Sequence, residues 1–133
     1  MIDLVNLEEL SRAECLRAMA TEPVGRLAIT MPDGFPLVVP VNFVLDGETV
    51  VFRTGAGTKL GNIGQKVGFQ VDHFRPQIKC GWSVLVRGTV YEATHWEIDH
   101  LVLEPWTDGR KSHWLRILPV EITGRQIVLP DFR

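Results

Sequence analysis

From Val24 onward the chain consists of short runs rich in Val, Ile, Leu and Phe, broken by Asp-Gly pairs at Asp33-Gly34 and Asp46-Gly47. Runs of this length, rich in β-branched residues and bounded by turn signals, read as strands. Asp-Gly between two of them predicts a hairpin turn of type I′, which needs positive φ at both central residues; glycine takes it freely and aspartate tolerates it better than most. Three strands in a meander are expected, near Gly25–Met31, Phe35–Leu45 and Thr49–Arg53. Pro36 and Pro40 remove ladder donors from the middle strand, so it must bend or lie at an edge.

Ahead of this region, Ser11-Arg12-Ala13-Glu14 has the spacing of a capping box, and Cys15, Leu16 and Met19 follow at helical spacing until Pro23, which predicts one short helix. Further on, Leu60–Gln65 reads as one or two helical turns, and Val67–Phe74 and Trp82–Thr94 as strands. Thr94–Leu103 carries Trp96, His100 and Leu103 on one helical face, and Leu115–Ile122 with Arg125–Leu129 is expected to close the chain as a hairpin about Thr123-Gly124. Many strands joined by tight turns, with two or three short helices, predict a mainly β fold: a closed or nearly closed antiparallel barrel, because closure hides strand edges.

The 133 residues, 45% hydrophobic and 23% charged, are enough for one domain over 1–133 whose core needs no disulfide or metal. A net charge of −2 argues against the broad basic footprint of a nucleic-acid binder. Cys15 and Cys80 lie far apart outside any Cys-x-x-Cys pair and are expected to be free, buried thiols. The N-terminus carries Asp3, Glu8 and Glu9, and no window approaches the roughly 18 apolar residues of a membrane span, so a cytoplasmic protein without membrane contact is expected. His73, His95, His100 and His113 make no His-x-x-x-His pair, and neither Ser11 nor Ser83 sits in a Gly-x-Ser-x-Gly elbow. A metal site and a serine hydrolase therefore have no support.

Three clusters remain. In Arg53-Thr54-Gly55-Ala56-Gly57-Thr58-Lys59-Leu60 a strand delivers an arginine and a hydroxyl, two glycines free the backbone, and a lysine opens a helix. Arg53 can fork two hydrogen bonds to a phosphate and Lys59 adds a point charge. The residues alone leave this reading level with a solvated surface turn, and the spacing is not that of a Walker motif. In Val39-Pro40-Val41-Asn42-Phe43 the proline removes a ladder donor and Asn42 brings an amide into an apolar strand; either a flat heterocycle meets its backbone or the strand is simply a bent edge. In Gly81-Trp82-Ser83 an indole and a hydroxyl open a strand, as core or as ligand contacts, and Trp106 shares that ambiguity.

Together and in this order, these clusters with Val24-Gly25-Arg26-Leu27 and Val84-Leu85-Val86-Arg87-Gly88 resemble the FMN-binding split barrels of the pyridoxamine 5′-phosphate oxidase-like family, over nearly the whole chain. The resemblance implies an antiparallel, Greek-key-like split β-barrel and a homodimer with two FMN molecules at the subunit interface, each contacted by both chains. By the same resemblance Arg53, Thr54 and Lys59, with Leu60 beside them, hold the FMN phosphate, Val41 and Asn42 approach the flavin or ribityl chain, and Trp82 and Ser83 complete the pocket, with Trp106 as a further wall. Relatives of similar shape use deazaflavin F420 or haem, which stand as alternative cofactors. The function implied is an FMN-dependent oxidoreductase acting on a small molecule that the sequence does not specify; the alternatives are a non-catalytic FMN- or F420-binding carrier or sensor, or an F420-dependent reductase. Ile127–Arg133 lacks the Arg-x-His substrate-phosphate motif of the oxidase itself, so a substrate other than pyridoxine phosphate is expected.

Overall fold

The computed structural model of the chain describes residues 7–55, 64–106 and 113–128. Its elements are β1 (Leu7–Leu10), α1 (Arg12–Met19), β2 (Val24–Thr30), β3 (Pro36–Asp46), β4 (Thr49–Thr54), β5 (Lys66–Arg75), β6 (Cys80–Glu92), α2 (His95–Ile98) and β7 (His113–Ile127). The strands pair antiparallel in the order β7-β4-β3-β2-β5-β6, and β6 pairs back to β7. This closes a six-stranded barrel, as expected, with β1 added alongside the end of β7.

Alternation along each strand sorts the core from the outside. Leu27, Ile29, Phe43, Val50, Phe52, Val67, Phe69, Val71, Val84, Val86, Val90, Leu115 and Ile117 fill the interior. Phe43 and Phe69 meet edge to face at 5.1 Å near its middle. Helix α1 packs against β1, β6 and β7 and buries Cys15 and Met19 completely. Burial pushes the Cys15 thiol up, away from reactivity.

The predicted capping box is present: the Ser11 amide donates to Glu14 Oε1 at 2.8 Å, and the Glu14 amide donates to Ser11 Oγ at 3.2 Å. The Ser11 amide and hydroxyl hold the Glu14 carboxyl below its ordinary value, and the Arg12 fork does the same for Glu48; Arg12 Nε and Nη2 reach its two oxygens at 2.8 and 3.0 Å. Both folded-state values lie below the unfolded ones. Their stabilisation is therefore present above the ordinary carboxylate value of 4.5 and is lost as pH falls through the depressed values. Thermal melts should show a midpoint that drops on that acid side, and Glu14→Gln with Glu48→Gln should make the drop shallower; an equally steep drop in the double variant would refute the assignment.

The meander and its turns form, but not with the expected geometry. Gly34 and Gly47 have φ of +88° and +61°, whereas the aspartates before them do not take positive φ. Gly47-Glu48 joins Asp46 to Thr49 with glycine at the first central position, the II′ pattern. Asp33 instead accepts the Phe35 amide through Oδ1 at 3.0 Å. In β3, Pro36–Asn42 pairs with β2 on one side, and the ladder to β4 begins only at Phe43, so the prolines occupy the edge-like half.

Two other expectations fail. The hairpin about Thr123-Gly124 is absent, because β7 runs unbroken from His113 to Ile127. Between Arg87 and Gly88 the β6–β7 register shifts from Glu121 to Pro119, leaving Val120 as a bulge. The extra residue re-phases the strand: Leu115 and Ile117 face the core before it, Ile122 and Gly124 after it. Gly124 is there for space, since a Cβ on it would lie 2.7 Å from Cys15 Sγ. The helix expected over Thr94–Leu103 stops at Ile98. Trp96 is fully outside, so its apolar spacing serves no core face, and Pro105 favours extended chain before it. Leu60 to Ile63 of the helical turns expected over Leu60–Gln65 lie outside the described residues.

Candidate functional site

Even-numbered positions of β3 face outward, so Val38 and Pro40 are exposed and Asn42 is half-buried, whereas Val41 and Phe43 face the core. The β3–β4 ladder ends at Phe43 opposite Phe52. Asn42 and Arg53 are the next residues on the two strands, so they stand where the strands part. The Arg53 guanidinium sits 5.0 Å from the Trp114 ring centroid, a cation–π contact, and Nη1 donates to the Leu103 carbonyl at 2.9 Å. Asn42 Nδ2 donates to the Pro23 carbonyl at 3.3 Å, and its Oδ1 accepts the Trp106 amide at 2.8 Å.

Residues 101–106 thus form a strap across the parting of β3 and β4. His100 Nε2 contacts Asp46 Oδ1 at 3.1 Å where the strap begins, and an ion pair between Glu97 and Arg116 ties α2 to β7. Sequence reasoning named Asn42, Arg53 and Trp106, and the structure brings them together. Thr54 is buried on the inward side, alternate to Arg53. Val41 lies in the core and can offer a ligand only its backbone. Lys59 and Leu60 lie outside the described residues.

Ser83 belongs to the same outward face. Asn42 pairs with Val24, and Asp72 pairs with Ser83; continuing the β2–β5 register joins them in one lateral row, three inter-strand steps or about 14 Å across. Gln70 Nε2 donates to Asp72 Oδ2 at 2.7 Å and to Ser83 Oγ at 3.0 Å, and Arg26 Nη1 reaches Asp72 Oδ1 at 3.5 Å. Trp82 points the other way, against the core, and lines a cavity of about 310 Å³ with His73, Arg75 and Cys80. Within one chain it is therefore separate from Asn42 and Arg53.

The sequence reading missed Arg26, Gln70, Asp72 and Trp114. Gln70 and Asp72 alternate with Phe69 and Val71, so a strand with polar groups on its outer side was readable; their partnership with Arg26 and Ser83 was not. Chemically the site offers a stacked, oriented cation, an apolar strand face interrupted by proline, and a row of amide and hydroxyl groups. Such a surface suits a planar, phosphorylated heterocycle. Among the described residues no group of three His, Cys, Asp or Glu could hold a metal, and no helix is long and apolar enough to cross a membrane.

A family model described as pyridoxamine 5′-phosphate oxidase matches residues 11–126. The chain belongs to this family. A solved FAD-binding protein of Mycobacterium smegmatis is 33% identical, covering 92% of this chain and 99% of that one, with a TM-score of 0.70. An FAD-binding protein of Mesorhizobium loti is 26% identical over 92% and 97% of the two chains, with a TM-score of 0.74. An uncharacterised protein of Mycobacterium tuberculosis is 38% identical over 88 residues, 62% of this chain and 78% of that protein. The pyridoxamine 5′-phosphate oxidase family is thus matched through β2 to β7, including the parting of β3 and β4.

Proposed function

We propose that this member of the pyridoxamine 5′-phosphate oxidase family is a flavin-dependent oxidoreductase that holds FMN at the interface of a homodimer and acts on a small molecule. The observation that carries the reading is Arg53, oriented by the Trp114 ring and the Leu103 carbonyl at the edge of an open sheet face. A guanidinium fixed in this way is pre-set for bidentate contact with a phosphate. Thr54 and Lys59 complete the phosphate end in this reading. In this reading Pro40, which leaves β3 without an N–H to satisfy, and the amides and hydroxyls toward Gln70 and Ser83 would hold the ring. Because Trp82 is remote from Arg53 in its own chain, it serves the site from the partner.

Bound flavin supplies the hydride and electron chemistry. The chain's part is to bind it, to orient it with Asn42 and Ser83, and to exclude water beneath the strap. A second reading, FAD in place of FMN, is favoured by the two relatives described as FAD-binding; Arg53 would then hold the phosphate nearest the flavin.

The test is the absorption spectrum and mass of the chromophore extracted from purified protein, or bound from an equimolar mixture of FMN, FAD and F420. FMN supports the first reading and FAD the second. F420, haem or no binding overturns both. Steady-state oxidation of NAD(P)H by the loaded protein separates an oxidoreductase from a carrier or sensor.

A further inference from the structure

Four polar side chains on the outward face of β2, β5 and β6 form one chain of hydrogen bonds whose direction is fixed at every link. Arg26 Nη1 reaches Asp72 Oδ1 at 3.5 Å, and Gln70 Nε2 lies 2.7 Å from Asp72 Oδ2 and 3.0 Å from Ser83 Oγ. A carboxylate beside a guanidinium accepts and does not donate. The Gln70 atom that meets Asp72 must therefore be the amide nitrogen, because the carbonyl oxygen in its place would set two acceptors 2.7 Å apart. The same nitrogen meets Ser83. An amide nitrogen only donates, so Ser83 Oγ accepts from Gln70 and keeps its own hydrogen for a further partner.

Among the described residues none takes that hydrogen. Ser83 lines a cavity of about 480 Å³ on the outward face, with Glu9 and Glu121 also on its walls. The hydroxyl bonds neither of these carboxylates, and Glu121 accepts from Arg87 at 3.2 Å. Asp72 stands opposite Ser83 in the β5–β6 register, yet the two are joined only through Gln70. Ser83 thus presents a donor of fixed direction to a ligand lying over this face.

We infer that Asp72 is a positioning residue that sets the polarity of Ser83, so that Ser83 donates to an acceptor atom on the carbonyl edge of the flavin ring. The inference rests on the flavin reading above and deepens it. A donor held at that edge favours the redox state with more negative charge there, which is the reduced one. Replacing Asp72 by asparagine reverses the chain of bonds without changing its size. Arg26 keeps an oxygen at the Oδ1 position, so an amide nitrogen takes the Oδ2 position. Gln70 then turns its carbonyl oxygen toward that nitrogen, and the same oxygen meets Ser83. The hydroxyl hydrogen is taken within the chain, and Ser83 faces the ring as an acceptor.

Reduction potentials of the flavin-loaded full chain, measured by dye equilibration over a double-mutant cycle, test it. Ser83→Ala should weaken the preference for the reduced ring about tenfold, a potential about 30 mV more negative for a two-electron couple. Asp72→Asn removes one negative charge in either background, and that contribution cancels between them. Its shift should still be about 30 mV more negative with Ser83 in place than in the Ser83→Ala background. Equal shifts in the two backgrounds overturn the inference, since Asp72 would then act by its charge alone, as does a Ser83→Ala potential equal to that of the wild type. The flavin-free chain gives an independent measurement by heteronuclear NMR. Both side-chain amide hydrogens of Gln70 should exchange slowly in the wild type and fast in Asp72→Asn, where they turn to solvent. Fast exchange in the wild type overturns the inference. If Asp72→Asn does not fold by circular dichroism, wild-type exchange and the Ser83→Ala potential decide. A chain that takes up no flavin overturns the flavin reading, and the exchange rates then decide whether Asp72 sets the polarity of Ser83.

Discussion

Replacing Phe69 by alanine is expected to lower the free energy of unfolding by about 3–5 kcal/mol, near the top of the range for a core truncation. The ring is wholly buried and meets Phe43 edge to face, so its removal loses both transfer energy and a packed aromatic pair. It also lies directly over Gly25, where an added Cβ would come within 2.2 Å of Phe69 Cζ. Gly25→Ala alone should therefore cost about 1–3 kcal/mol by overpacking. In the Phe69→Ala background the new methyl enters vacated space, and the two costs should fall short of additive by about 1 kcal/mol or more. Urea denaturation with an unchanged m-value measures this. Additive costs would mean that something other than the ring demands glycine at 25.

Arg53→Ala is expected to weaken flavin binding by roughly 10- to 150-fold, the equivalent of one lost charged hydrogen bond of about 1.5–3 kcal/mol. The fold should survive, because Arg53 faces outward while its neighbours Phe52 and Thr54 are buried. Its bond to the Leu103 carbonyl would go as well, so the emission of exposed Trp106 should change even without flavin. Arg53→Lys keeps the charge but loses the fork and the flat stack on Trp114, and should recover only part of the affinity. Quenching of flavin fluorescence on titration gives the constants. An affinity equal to that of the wild type would move the phosphate away from Arg53 and undo the proposed function.

Local chemistry made much of this legible in advance. A capping box names its own partners, which is why Ser11 and Glu14 meet as read. Asp-Gly marks a turn but leaves its type open, because positive φ is needed at one central residue or at both; here only the glycines adopt it. Thr123-Gly124 misled for a related reason. A glycine selected for the approach of Cys15 Sγ looks in sequence like one selected for a turn. The real irregularity, the bulge at Val120, depends on which residues of β6 lie opposite. For the site, residue type pointed to Asn42, Arg53 and Ser83, but the quartet of Arg26, Gln70, Asp72 and Ser83 spans three strands and had no sequence spacing to betray it.

The succession of short β-branched runs, turn glycines and strand prolines by itself determined a mainly β chain opened by one capped helix, since those preferences act within a few residues. Which residues meet was decided only by closure of the barrel. Pairing β2 with both β3 and β5 put Asn42 and Ser83 in one row, the parting of β3 from β4 set Asn42 beside Arg53, and the strap bonded to both. Contacts between residues dozens of positions apart depend on register and on the alternation of faces, and a one-residue slip would reverse every one of them.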